Sequence, residues 1–215
     1  MRVLVACEYS GRVRDAFRAL GHDAWSCDIL PTEADPEFHI EAPVQAVLHL
    51  KWDMMIGHPP CTFMANSGAK HLYLGMKKEN GRNEARWHSM AEAAAFFRML
   101  LDADIPHIAL ENPVMLGYAA EMVAMHFTQS VQPWQFGHTE VKRTCLWLKN
   151  LPKLTESANV YDEMMKLEYG ERAKVHHASP GPDRWKNRSR TYSGIAQAMA
   201  AQWGRYVDEQ MSMAA

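Results

Sequence analysis

His58-Pro59-Pro60-Cys61 and Glu111-Asn112-Pro113 are the two segments whose side chains could together do covalent chemistry. A thiol becomes a nucleophile as the thiolate, which nearby positive charge favours. The two prolines hold Cys61 on a stiff turn, because each fixes φ and lacks the N–H a strand needs. A carboxyl at a strand end can be kept protonated by desolvation, and it then donates a hydrogen bond. Glu111 in that state would suit a ring nitrogen. A thiol and a carboxyl so placed point to attack on a base-like ring. The other cysteines, Cys7, Cys27 and Cys145, lie in apolar strand patterns and read as buried and inert.

The flanking sequence shows what must position these residues. Met54-Met55-Ile56-Gly57 leads into His58, so 52–57 reads as a strand with the cysteine turn at its carboxyl end. A strand over 106–110 delivers Glu111 in the same way. Ligands of open α/β sheets bind at that edge. Residues 2–6 form a first strand. Val13, Ala16, Phe17 and Leu20 then share one helical face, opened by Gly11 and closed by Gly21. A second strand over 23–27 ends at Asp28. This order begins a doubly wound α/β sheet.

Further along, Val44, Val47 and Leu48 predict a short helix. Residues 62–83 are polar, with glycines at 68, 75 and 81, and read as a mobile loop. Helices are expected over 84–103, 117–125 and 193–207, and strands over 129–136 and 144–148. The expected organisation is a catalytic core over 1–150, a small variable segment over 151–192 and a closing helix over 193–215.

A chain of 215 residues, 47% hydrophobic and 22% charged, suits one globular α/β domain. No run of about 18 apolar residues predicts a membrane span, and the N-terminus reads as a strand rather than a signal peptide. Isolated cysteines without a CxxC pair fit a reduced cytosol. His176-His177 lacks a third ligand at a sensible spacing, so no metal is expected. A net charge of −2 neither demands nor excludes nucleic acid. From Asp183 to Tyr192, however, Arg184, Lys186, Arg188 and Arg190 alternate with Trp185 and Tyr192. That pattern fits phosphate contacts plus base stacking, or else a solvated basic loop.

Pro60-Cys61 and Glu111-Asn112 resemble the signature motifs of the DNA (cytosine-5) methyltransferase family, a Pro-Cys nucleophile and a Glu-Asn-Val acid. Pro113 stands here for the valine. Residues 4–28 are similar to the family's cofactor loop, second strand and acidic residue. Val141-Lys142-Arg143-Thr144 lies near its arginine-bearing strand, and 194–206 looks like its closing motif. In motif order the likeness covers most of the chain, and it looks like the small members from phages and prophages.

The resemblance implies a Rossmann-like methyltransferase sheet flanked by helices, with a small basic appendage. It implies that Cys61, on its Pro60 turn, attacks C6 of a flipped cytosine. Protonated Glu111, beside Asn112, would hold N3 and the exocyclic amine, and Arg143 would orient the base. A one-carbon group then passes to C5 while 62–83 closes over the site. The implied donor is S-adenosyl-L-methionine, held by Glu8, Tyr9, Ser10, Gly11, Asp28, Asp53 and His58. The implied partner is DNA, met by Arg184, Trp185, Lys186, Arg188 and Arg190 in the cytoplasm of a bacterial host or phage-infected cell.

Three departures bear on this. Tyr9 stands where the family's loop has its first glycine. Thymidylate synthases also use a Pro-Cys nucleophile, with a folate carrier, so hydroxymethyl transfer from methylene-tetrahydrofolate is an alternative. Residues 151–190 leave no room for a large target-recognition domain, so any sequence specificity is short or relaxed. His58 replaces a small residue or phenylalanine, and reads as a general base, a phosphate contact or a structural group. Two further readings stay open. His58-Pro59-Pro60-Cys61 is close to the Pro-Pro-aromatic motif of amino-directed (N4) DNA methyltransferases, although Cys61 and Glu111-Asn112 speak against it. The chain could also be a non-catalytic DNA-binding or antirestriction relative.

Overall fold

The computed structural model describes residues 1–177, 181 and 184–214. Asp183, which opens the basic segment, lies outside the described residues. Along the chain run β1 (Arg2–Ala6), α1 (Arg12–Arg18), β2 (Asp23–Asp28), β3 (His39–Glu41) and β4 (Met54–Gly57). Then come α2 (Glu84–Leu101), β5 (His107–Asn112), α3 (Gly117–Val123), β6 (Gln129–Val131) and β7 (Thr144–Lys149). Short helices α4 (Tyr161–Met165), α5 (Tyr169–Arg172), α6 (Lys174–His177) and α7 (Arg184–Ser189) precede the long α8 (Ser193–Ala214).

The strands form one mixed sheet in the order β3-β2-β1-β4-β5-β7-β6. β1 to β5 are mutually parallel, while β7 runs antiparallel between β5 and β6. This is the doubly wound, Rossmann-like α/β sheet flanked by helices expected from the sequence. Its central strands β1 and β4 are largely apolar and buried because both faces are covered. Leu4 and Ala6 of β1 join the core beneath α2 and α3, whereas Val3 and Val5 join the core beneath α1 and α8. Strand order reverses between β1 and β4, so a crevice opens at their carboxyl ends.

α8 lies against α1, and Ile195, Met199, Trp203 and Val207 sink into the core on that face. Its start is set by Gly194, whose N–H donates to His138 Nε2 at 3.0 Å. A Cβ at Gly194 would run into the Phe136 carbonyl oxygen. Gly194→Ala is therefore expected to cost about 1–3 kcal/mol through overpacking. A lower urea midpoint at unchanged slope would check this.

Several elements differ from expectation. The helix expected from Val44 to Leu48 is a single 3-10 turn over Val44–Ala46, and β3 was not legible in the polar stretch before it. Residues 62–83, expected as a mobile loop, form short 3-10 turns that bury Met64, Ala65 and Leu72. Trp87 Nε1 donates to the Leu72 carbonyl, and the Arg86 guanidinium lies 4.4 Å over Phe63. These anchors come from α2, so local polarity did not reveal them. β5 runs two residues past Leu110, which places Glu111 inside the strand opposite Leu146 of β7. Among the described residues, no helix is long and apolar enough to cross a membrane.

Candidate active site

The parallel pairing of β4 with β5 sets Gly57 beside Leu110, so His58 and Glu111 emerge together at the carboxyl edge. Four bonds fix the cysteine turn there. His58 N donates to the Ala6 carbonyl at 2.9 Å, holding the turn to β1. Asn112 Nδ2 donates to the Pro59 carbonyl at 3.0 Å, a buried bond that holds it to β5. Beyond the prolines, the Cys61 carbonyl accepts from Met64 N and Ala65 N. Pro60 sits between these anchors and fixes φ, so Cys61 has little freedom to swing. Removing the buried amide with Asn112→Ala should cost about 1–3 kcal/mol. It should also loosen the turn, seen as faster alkylation of Cys61 by iodoacetamide in the folded protein.

His58 Nδ1 lies 2.9 Å from Glu111 Oε2, with side chains only 12% and 11% exposed. Thr191 Oγ1 donates to the same oxygen at 3.4 Å. Burial by itself pushes the Glu111 carboxyl up, but the His58 hydrogen bond and the Lys142 charge outweigh it and hold the carboxyl below its usual value. Burial likewise pulls the His58 imidazole down, yet its bond to Glu111 and the charges of Glu111 and Glu8 leave it raised. The expectation of a protonated Glu111 is thus corrected. Desolvation does favour the neutral acid, but a buried histidine beside it takes the proton. Both directions favour an imidazolium–carboxylate pair, and His58 Nε2 is buried with no protein partner among the described residues.

Cys61 is partly buried. Burial and the Glu111 carboxylate push its thiol up, while Lys142 and Arg188 pull it back. At rest it is a thiol that must lose its proton to react. Burial pushes the Cys7 thiol up to about 12 and the Cys27 thiol to about 11, so both stay protonated. Arg143 does not join this cluster: its guanidinium lies 5.7 Å over the Phe127 ring. Lys142 takes that place. Neighbours on extended backbone point to opposite sides, and the motif alone could not say which of the two cations would face inward. Thr191, two residues before α8, is a second site residue that sequence reasoning missed, since only the return of the chain brings it to Glu111.

The residues expected to hold S-adenosylmethionine are engaged by the protein itself. The buried Glu8 carboxylate accepts from Val13 N at 2.8 Å, Arg14 N at 3.2 Å and Ser10 Oγ at 3.1 Å. It thereby neutralises the amino end of α1, which would otherwise attract a cofactor carboxylate. Tyr9 is 7% exposed. Its hydroxyl lies 3.0 Å from both the Lys186 carbonyl and Ser189 Oγ, beneath α7. Gly11 is pressed against Ala34 and Arg14, so its bare Cα makes room for the protein, not for a ligand. Asp28, at the end of β2, accepts from Leu30 N, and burial pushes its carboxyl up. Asp53 lies at the opposite edge of the sheet, before β4, where it accepts from Arg2 N. Glu8, Tyr9 and Gly11 are thus committed to contacts within the protein and Asp53 lies away from the crevice, whereas Asp28 stands at the carboxyl end of β2.

The basic segment is the helix α7 and its tail, folded back over Tyr9 in the loop after β1. The Trp185 ring tilts against Tyr9 at 5.8 Å and remains half-exposed. Lys186 Nζ lies 5.7 Å from the Trp185 ring, and Arg184 Nε is buried without a partner among the described residues. Arg190 grips the Glu33 carboxylate at 2.7 and 2.8 Å. Arg188 is partly buried and acts on Cys61. Of the two readings of this segment, the solvated loop does not hold: residues 184–189 form a helix docked on Tyr9. Among the described residues, no group of three or more His, Cys, Asp or Glu could hold a metal.

No protein-family model matches the chain, and no curated protein matches it. Forty solved chains are similar to it. One, from E. coli, is described as a candidate DNA modification methyltransferase encoded within a prophage. The match has 12% identity and a TM-score of 0.41, and covers 69% of this chain and 46% of that one, less than half its length. A likeness at that level leaves the function to be argued from the site.

Proposed function

We propose that the protein is a transferase acting at C5 of a cytosine base in DNA, with Cys61 as its covalent nucleophile. The observation that carries this reading is the joining of the cysteine turn to the carboxylate strand. Asn112 ties Pro59 to β5, one residue from the Glu111 that His58 grips. A thiol on a fixed turn and a proton-bearing pair thus face one crevice.

In this reading Cys61 loses its proton to solvent, the thiolate bonds C6, and the C5–C6 electron pair becomes available at C5. The His58–Glu111 pair holds a proton where N3 can take it as negative charge develops, the usual role of a buried acid–base couple. Glu111 Oε2 also faces the Thr191 hydroxyl, which keeps the carboxylate oriented. Lys142, whose charge acts on both Glu111 and Cys61, would stabilise negative charge on the ring oxygen. After C5 has taken its substituent, loss of the C5 proton expels Cys61 and restores the ring. The base must leave the duplex stack to reach the crevice.

Nucleoside mass spectrometry on DNA from expressing cells tests this, together with purified protein supplied with S-adenosylmethionine or methylene-tetrahydrofolate. The expected result is a 5-substituted deoxycytidine in the wild type and none with Cys61→Ala. The donor that supports it in vitro identifies the one-carbon source. N4-methylcytosine, or unmodified DNA under both donors, would overturn the reading.

A further inference from the structure

A cavity of about 260 Å³ opens between the start of α1, the β6–β7 connection, α6 and α7. Five cations line it: Arg12, Lys142, Lys174, Arg188 and Arg190. Its one carboxylate, Glu140, accepts from the Tyr192 hydroxyl at 2.7 Å. Arg12 donates to the Thr191 carbonyl at 3.0 Å, and Arg190 is held by Glu33. Among the described residues, the side chains of Lys174 and Arg188 have no hydrogen-bond or ion-pair partner.

Five positive charges converging on a space this small repel one another, and an anion bound among them would relieve that cost. The cavity wall continues into the site already described. Thr191 sits between Arg190 and Tyr192 and reaches Glu111, while Lys142 borders both.

We infer that this cavity binds the phosphate ester of the pyrimidine nucleotide whose base meets Cys61. The inference rests on the proposed function for the base, and adds how its nucleotide is held. Arg12 and Arg188 supply planar donors suited to phosphate oxygens, and Lys174 supplies a compact charge. A free nucleotide and a nucleic-acid strand carry the same phosphate chemistry, so the two sources must be separated by experiment.

Calorimetric titration of the full chain with deoxycytidine, dCMP and a short single-stranded oligonucleotide, at one ionic strength, makes that separation. The expected result is that dCMP, the oligonucleotide or both bind at least about 30-fold tighter than deoxycytidine. Lys174→Gln and Arg188→Gln should each remove about tenfold of that gain, and Lys174→Arg should restore it. Tight dCMP assigns a free nucleotide; a gain confined to the oligonucleotide assigns a strand. Equal binding of all three, or a gain that survives both glutamine variants with unchanged melting temperatures, would overturn the inference. Cys61→Ala should retain the phosphate-dependent gain. A failed covalent reaction alongside cation-dependent nucleotide binding therefore overturns the proposed function and leaves this site standing.

Discussion

Cys61→Ala is expected to abolish covalent capture of DNA containing 5-fluorocytosine, and to lower product formation by about 10⁴-fold or more. Fluorine at C5 cannot leave as the proton does, so the thioether to C6 persists and is visible on a denaturing gel. Stability should change little, since the Cys61 side chain is only partly buried. Alanine at Cys145 or Cys27 should leave capture intact, because both are buried in the sheet. The rate of capture carries a second signature. With the thiol pushed up from its usual value, thiolate is scarce near neutrality, and the rate should rise with pH. It should fall again once His58 has lost its proton, giving a bell-shaped profile. Equal capture by wild type and Cys61→Ala, or capture lost in the Cys145 variant instead, would sink the assignment.

Glu111→Gln should slow turnover by about 10²–10⁴-fold, because the neutral amide no longer supports the charge on His58 that keeps a proton available for N3. Glu111→Ala should cost about 3–5 kcal/mol, since it leaves the buried His58 without its counter-charge. The pH dependence separates an ion pair from a neutral hydrogen bond. Glu111 is lowered in the folded state, so its contribution is present above the ordinary carboxyl range and is lost as pH falls through the lowered value. His58 is raised, so its contribution is present below the ordinary imidazole range and is lost as pH rises through the raised value. The stability gap between wild type and Glu111→Gln should therefore be widest between about pH 4.5 and 6.5. Urea midpoints at acidic, intermediate and alkaline pH would reveal it. A gap that is the same at acidic, intermediate and alkaline pH would mean that the two side chains share a neutral hydrogen bond rather than an ion pair.

Much of the frame was legible because backbone periodicity and punctuation are local properties. The apolar runs 2–6, 54–57 and 106–110 declared buried strands, and glycines and prolines marked where several of them stop. Nothing local marked His39–Glu41 as a strand, since its polar residues pair only because β2 is already in place. The packed course of 62–83 was hidden for the same reason. Its buried Met64 and Leu72 follow no period, and its anchors lie on α2 and before α3.

Residue types and order determined a thiol on a rigid turn, a carboxyl on a neighbouring strand and a doubly wound sheet to hold them. Only the tertiary structure decided the ionisation of that carboxyl, because the answer depends on His58 across the crevice and on Lys142 and Thr191 from distant segments. It also decided that Lys142 rather than Arg143 faces inward, that Glu8 closes the end of α1, and that α7 lies on Tyr9. A charge state and a filled edge are sums over neighbours in space, and the chain brings those neighbours together only when it folds.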